Sequence, residues 1–411
     1  MDYPRNLEQV IADKLLQPEA IFIFGPRQSG KTTLMKQLMQ RVGLENALYI
    51  DLEYPALQHT FSQGIEEVIK YISYNRIKPQ GRLYVFLDEV QYLSDFSRIV
   101  KLMVDHHSED FKLIMSGSSS ALIKYHFKDS LVGRKLVYEL LPLCFEEFLL
   151  FKSEDKLAKA IIEAPESIPD NRRQDLERYL EEFIVFGSYP KVVKVNTFRE
   201  KWDILKDIVS SYILKDIKDL FKIEKTHQLN HMIRFLSLNI GKELNIHNLS
   251  NEVSLHRETA RSYLDILEEC YIIRRLKPFH QNLGTELRRM NKLYFVDSGV
   301  RNILIDNLND LDSRSDRGEL LENMVYGHLL HRLEPGQKIR FWQTRNKQEI
   351  DFVIDSPKQL IAIETKYSGG KATSFSVFRN AYPNARCYVA CLKNATNKDE
   401  IPVWQSASLL S

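Results

Sequence analysis

Two short stretches hold the residue types that together handle a triphosphate. Gly25-Pro26-Arg27-Gln28-Ser29-Gly30-Lys31-Thr32 fits G-x-x-x-x-G-K-[ST], with Thr33 directly after it. Glycines in such a loop let backbone N–H groups turn inward as an anion nest, at the positive end of a helix dipole. Lys31 would reach the β- and γ-phosphates of ATP, and the Thr32 hydroxyl would ligate magnesium. Hydrogen bonds to a charged partner contribute about 1.5–3 kcal/mol each, so one loop can hold the tail of ATP without touching the base. Farther on, the apolar run Leu83-Tyr84-Val85-Phe86-Leu87 ends in Asp88-Glu89, the Walker B pattern. Asp88 suits the magnesium shell and Glu89 the general base that polarises the attacking water. Capping the next helix is the plainer use for two such carboxylates, and the upstream P-loop argues against it.

Two further residues fit the same chemistry. Ser118 follows the apolar run 111–116 in Ser116-Gly117-Ser118-Ser119-Ser120, where a hydroxyl can sense the γ-phosphate or simply cap a helix. Arg134 suits charge stabilisation in phosphoryl transfer, in cis or from a neighbouring subunit. A salt bridge to an acidic helix is the equal alternative.

A third stretch reads as helix, tight turn and helix: 249–254, then Thr259, Tyr263, Leu264 and Leu267 at helical spacing. The second helix would carry His256, Arg257, Thr259 and Arg261 outward, as in a helix-turn-helix. Residues 271–292 then hold Arg274, Arg275, Lys277, Arg288, Arg289 and Lys292 against Glu286 alone. A basic β-wing beside a recognition helix grips phosphates, so DNA contact through Arg257, Arg261, Arg274, Arg275 and Lys277 is expected, with low sequence specificity. Glu258, Glu268 and Glu269 make the helix less basic than most DNA readers, which leaves a protein-docking module or an ATPase lid open.

The fourth is a hairpin: 349–354, a polar turn, and 360–366. With the turn centred between Pro357 and Lys358, Asp351 stands directly opposite Glu364, and Glu349 and Lys366 share their face. Ile350, Phe352, Ile361 and Ile363 then face a core. Like charges directly opposed destabilise a sheet, so three carboxylates with one lysine invite a divalent cation.

The elements that must position these groups follow from pattern. AIFIF (20–24), ALYID (47–51), LYVFLD (83–88) and FKLIMS (111–116) are buried strands separated by helical segments, which predicts a parallel sheet covered on both faces. A polar linker or excursion with Pro165 and Pro169 spans 152–175, and a helical region broken at 187–190 follows. The chain has 411 residues and a net charge of +2, enough for two to four domains and too weak a charge to imply a nucleic-acid partner by itself. The four cysteines, Cys144, Cys270, Cys387 and Cys391, form no C-x-x-C pair and read as buried thiols of a reducing cytoplasm. Apolar runs are too short to span a bilayer and the N-terminus lacks a signal-peptide core, so a cytoplasmic protein with no membrane partner is expected.

GPRQSGKTTL, YIDLE, VFLDEVQYL, IMSGSSS and GRKLVYELLPLCFEEFL closely resemble the prokaryotic AAA-family ATPases whose C-terminal half is catalogued as domain of unknown function 4143. EEFIVFGSYPKVV, SYILKDI, KLYFVDSGV, RGELLENMVYGHLL, EIDFVI and IAIETKY continue the match in order along nearly the whole chain. One departure is Gly187-Ser188, where the family has Gly-Gly before Tyr-Pro. The resemblance implies an α/β fold: a P-loop NTPase domain with an additional strand (1–152), a helical lid or connector (153–226), a winged helix (227–295) and a nuclease-like α/β domain of the PD-(D/E)XK kind (296–411). Asp351, Glu364 and Lys366 resemble the Asp…Glu-x-Lys set of metal-dependent nucleases, and Glu322 resembles their extra acidic ligand. A second Mg2+ or Mn2+ would sit there, with Lys366 positioning water or a developing oxyanion. The alternative is a relic fold in which Lys366 pairs with Asp351 and Glu364. The expected function is an ATP-hydrolysing switch acting on DNA. The other reading is a signalling or assembly ATPase whose later domains bind proteins, and self-association is left open.

Overall fold

A computed structural model of the chain describes residues 4–77, 81–93, 96–118, 131–279, 290–357, 359–370, 372–393, 397 and 399–410. They divide into two compact units, Met1–Pro142 with Glu269–Tyr271, and Leu143–Glu268 with Ile272–Ser411.

The first unit contains helix α1 (Asn6–Ala12), strand β1 (Ala20–Phe24), α2 (Lys31–Val42), β2 (Ala47–Asp51), α3 (Pro55–Ser62), α4 (Ile65–Tyr74), β3 (Leu83–Asp88), α5 (Phe96–His107), β4 (Phe111–Gly117) and β5 (Lys135–Glu139). The strands form one parallel sheet in the order β2-β3-β4-β1-β5. Four of them lie where their apolar runs predict, and β4 stands between β1 and β3 as the additional strand. β1 and β4 are buried along their whole length, which is why they read as unbroken apolar runs. The one charge in β4, Lys112, donates its ammonium protons to the carbonyls of Lys14, Gln17 and Glu19 at 3.0, 2.8 and 2.6 Å. These bonds tie the turn after α1 to the sheet. Ile11, Ile21, Ile23, Leu34, Leu38, Phe86 and Ile114 share one core, so α2 is pressed onto the sheet directly behind the P-loop.

The second unit starts at Leu143, ahead of the sequence-based boundary at 152, and its first helix is α6 (Phe145–Phe151). Phe145 and Phe148 of α6 pack edge-on against Phe183 at 5.5 and 5.4 Å, and this aromatic contact assigns the helix. The stretch read as a polar linker or excursion is helical, as a helical connector over 153–226 implies: α7 (Asp155–Glu163) and α8 (Asp170–Phe186) bury Leu157, Ile161, Leu176 and Leu180. Pro169 precedes α8 at its N-cap, where a missing N–H costs nothing, so it starts the helix rather than breaking it. α9 (Pro190–Val193), α10 (Phe198–Asp207), a π-helical stretch Ile208–Asp216 and α11 (Ile217–Leu220) follow. The turn at Ser188 is closed firmly: its N–H donates to Asp297 Oδ2 at 2.7 Å.

Next come α12 (Thr226–Ser237), α13 (Ile246–Glu252), α14 (Arg257–Glu269) and the antiparallel pair β6 (Ile273–Leu276) and β7 (Lys292–Phe295). Residues 241–244 pair with the other side of β7, through Gly241 N–H to Leu293 O at 2.8 Å and Leu293 N–H to Lys242 O at 3.2 Å. The remainder is α15 (Ser298–Leu304), α16 (Arg317–His331), β8 (Lys338–Gln343), β9 (Glu349–Asp355), β10 (Leu360–Ser368), α17 (Ser374–Ala381), β11 (Arg386–Lys393) and β12 (Glu400–Pro402). Its sheet runs β12-β11-β10-β9-β8, with β9 antiparallel to both neighbours. Arg314 donates to both oxygens of Asp316, at 2.8 and 2.9 Å, and Arg301 joins the same carboxylate. That network ties α15 to the start of α16.

Candidate nucleotide site and C-terminal carboxylate cluster

The P-loop leaves β1 and enters α2, as the motif requires. A side chain on Gly25 would meet the Leu140 carbonyl oxygen at 2.1 Å, so only glycine fits that turn. Gly30 has φ +100°, the left-handed conformation that lets the loop close onto the helix. Lys31 is 5% exposed and its ammonium donates to the Gly25 and Pro26 carbonyls, each at 3.0 Å. Burial pushes its pKa down, and the nearby carboxylates of Glu89 and Asp88 oppose that shift. Ser29 is fully buried, and its Oγ and Gln28 Oε1 have no hydrogen-bond partner among the described residues. Buried orphan groups in a loop of this kind mark a place where a ligand can supply the missing bonds. Arg27 stands at the loop's outer side, 3.5 Å from Glu53, and Thr33 is exposed on α2.

Asp88 gathers four donors. Thr32 Oγ1 and Tyr49 Oη each donate to its Oδ2 at 2.7 Å, while Ser116 Oγ and the Glu89 N–H, the latter at 3.1 Å, donate to its Oδ1. Glu89 has φ 56°, a left-handed backbone that turns its carboxylate back toward the strand ends. Burial raises the Glu89 pKa, opposed by Lys31 and by a hydrogen bond from Gln91. Gln91 Nε2 donates both to Glu89 and to Ser118 Oγ, the second at 3.1 Å, so one amide connects the general-base candidate to the sensor candidate. Arg134 takes the salt-bridge option within this chain: its Nε donates to Asp105 on α5. Ser119 and Ser120 lie outside the described residues.

Sequence reasoning missed Tyr49, Ser116, Gln91 and Arg5. Arg5 donates to the Ser29 carbonyl and the Leu141 carbonyl, both at 2.7 Å, and so braces the P-loop from below. Laying β2 beside β3 would have revealed Tyr49, since Asp51 pairs with Asp88 and Tyr49 shares the Asp51 face.

In α14 and just after β6, Arg257, Arg261 and Lys277 are exposed. Arg257 lies 2.9 Å from His247 Nδ1, and Arg261 is 3.5 Å from Glu258. Arg275, expected as a DNA contact, donates its guanidinium to Glu268 at 2.8 Å and to Asp265 at 2.7 Å. Two acidic residues of α14 lie across from it and take up its charge. Arg274 is half-buried in β6, and Arg288 and Arg289 lie outside the described residues.

In the C-terminal sheet the register is the predicted one. Ile361 pairs with Ile354 and Ile363 with Phe352, which sets Glu364 beside Asp351 one step on. Asp351 Oδ2 accepts the Thr365 N–H at 2.7 Å. Ile350, Phe352 and Ile363 are fully buried, and Ile361 nearly so. Glu364 Oε2 is buried without a hydrogen bond among the described residues, and burial raises the Glu364 pKa to about 7 against the opposing pull of Lys366. The unforeseen member is Lys292. Counted in the sequence as a wing cation, it points inward with only 3% of its side chain exposed. Its Nζ lies 2.9 Å from Glu322 Oε1 and 3.8 Å from Asp351 Oδ1, and it also touches Glu349 Oε1. Burial alone would lower its pKa; Glu322, Asp351 and Glu349 outweigh that and raise it. Among the described residues no three His, Cys, Asp or Glu side chains are grouped to hold a metal ion. Of the expected ligands, Glu322 and Asp351 face the Lys292 ammonium, and Glu364 stands beside Asp351.

Three family models match successive parts of the chain. The model of an AAA domain matches residues 17–149, that of domain of unknown function DUF8612 matches 177–311, and that of domain of unknown function DUF4143 matches 317–407. An uncharacterized protein of Methanocaldococcus jannaschii is 28% identical over 85% of this chain and 75% of its own length. An uncharacterized protein of Haemophilus influenzae is 26% identical over 84% of this chain and 82% of its own. Among solved structures, the Walker-type ATPase PABY2304 of Pyrococcus abyssi aligns with a TM-score of 0.47 at 13% identity, over 74% of this chain and 96% of its own. The chain thus carries an AAA domain and a DUF4143 domain, and no helix among the described residues is long and apolar enough to cross a membrane.

Proposed function

We propose that the chain binds and hydrolyses ATP and uses the cycle as a switch acting on DNA. The observation that carries the reading is the convergence of Lys31, Thr32, Asp88 and Glu89 at the ends of β1 and β3, with Gln91 joining Glu89 to Ser118. The loop amides and Lys31 hold the β- and γ-phosphates, and Lys31 exchanges two loop carbonyls for phosphate oxygens. Thr32 and Asp88 would hold magnesium, which when bound neutralises charge on the phosphates. Glu89 accepts a proton from the attacking water, and its raised pKa suits a base. Ser118 reads the γ-phosphate through Gln91. The test is phosphate release by purified protein: Lys31→Ala should abolish it, and unchanged turnover would end the reading.

For the DNA arm, the support is the exposed Arg257, Arg261 and Lys277 beside a helix, turn, helix and three paired extended segments, the layout of a winged helix. A second reading has its own support. Arg275 and Lys292 are spent on internal carboxylates, which leaves fewer cations for phosphates and favours an assembly or signalling ATPase with protein-binding modules and no nuclease activity. Gel-shift titration at graded salt separates them. Binding that falls steeply with salt supports DNA; no binding with or without ATP supports the second.

A further inference from the structure

We infer that the carboxylate cluster of the C-terminal sheet carries Lys292 as a resident cation in place of a divalent metal, and that it is closed to metal in the native chain. This deepens the second reading above, and it can fail while the ATPase stands, because its test reads metal uptake and not phosphate release.

Five carboxylate oxygens around Lys292 are already occupied, and Glu364 Oε2 is a buried oxygen left without a hydrogen bond among the described residues. Glu322 Oε1 accepts from Lys292 and from Tyr294 Oη, two residues along the same strand. Glu349 Oε1 is paired with Lys292, and its Oε2 accepts Gln343 Nε2 at 2.8 Å. Asp351 Oδ1 faces Lys292, and its Oδ2 accepts the Thr365 N–H. A divalent cation binds through the lone pairs of such oxygens, and each of these five already has a donor or a cation against it.

The ammonium also has nowhere to withdraw. β7 is paired on one side with β6, where Lys292 stands opposite Leu276, and on the other with Glu243. The ammonium lies over the Phe341 ring, with Nζ 5.6 Å from its centroid. A buried ammonium stripped of its carboxylates would be an uncompensated buried charge, so metal entry is opposed both by repulsion and by the loss of this pairing. The lysine therefore acts as a tie between β7 and the sheet that follows.

The test is a manganese titration of the purified, nucleotide-free full chain, following free Mn2+ by its EPR signal. Wild type and Asp351→Asn should take up the same amount. Lys292→Gln should gain about one further Mn2+ per chain, and Lys292→Gln combined with Asp351→Asn should lose it. Wild-type uptake that disappears in Asp351→Asn overturns the inference. So does a Lys292→Gln protein that folds by circular dichroism and takes up no more than wild type. If Lys292→Gln does not fold, wild type against Asp351→Asn decides alone.

Discussion

Thr32 Oγ1 lies 2.7 Å from Asp88 Oδ2, so the first turn of α2 and the last residue of β3 are in direct contact. Tyr49 donates to the same oxygen at the same distance. Thr32→Val removes one donor and keeps the shape. Magnesium-dependent nucleotide binding should weaken, while melting temperature without nucleotide should change little, because Tyr49 remains. A thermal-shift titration with ATP, with and without magnesium, reads both.

Lys31→Ala and Glu89→Gln should separate binding from chemistry. Losing Lys31 removes a charge that acts on the transferred phosphoryl group, and phosphate release should fall by about 100-fold or more. Glu89→Gln should keep nucleotide binding and lose about 100- to 10,000-fold in turnover, the range for a general base. A Glu89→Gln protein that turns over normally would remove Glu89 from the mechanism.

Gln91→Ala should move the acid limb of the rate–pH profile. The amide stabilises the Glu89 carboxylate, so removing it raises a pKa that burial has already raised. The base is then protonated over a wider range, and the limb should shift to higher pH. A merely structural role for Gln91 would lower the rate at every pH alike.

Asp316 predicts a stability window. Burial alone would raise its pKa; hydrogen bonds from Arg314 and Arg301 outweigh that and hold it at about 2 rather than 3.8. A lowered carboxylate pKa means stability present above the unfolded value and lost as pH falls through the folded one. Asp316→Asn should therefore melt several degrees lower at neutral pH, at about 2–4 °C per kcal/mol. The gap to wild type should close between pH 4 and 2.

Charge reversal at Arg257, Arg261 and Lys277 should lower the salt slope of DNA binding by about one for each phosphate no longer gripped. Reversal at Arg275 should instead cost stability, because Asp265 and Glu268 lose their partner. Equal weakening of DNA binding in both would mean Arg275 leaves its carboxylates when DNA arrives.

Local pattern carried the P-loop, the Walker B strand, four strands of the first sheet and the hairpin register that sets Asp351 beside Glu364. Each is decided by period, by turn chemistry or by a contiguous motif. Tyr49 and Ser116 were not legible because Asp88 is 39 and 28 residues away along the chain, and Gln91 because the Ser118 it joins to Glu89 is 27 residues away; these groups meet only once the strand order is known. β5 was invisible as a strand because its pattern is half-exposed. Lys292 was misread for a different reason. Counting charges along a segment cannot say which face of a four-residue strand is buried, and the acidic residues that neutralise it come from α16 and β9.

The way Lys292 spans two sequence regions bears on where this protein can be cut. The match to DUF4143 starts at residue 317, whereas the counter-ion of its acidic centre stands at 292. A fragment trimmed to that border would keep Glu322, Glu349 and Asp351 as mutually repelling anions with their neutraliser left behind. The portable cassette is therefore longer than the profile, and its physical border falls ahead of β7.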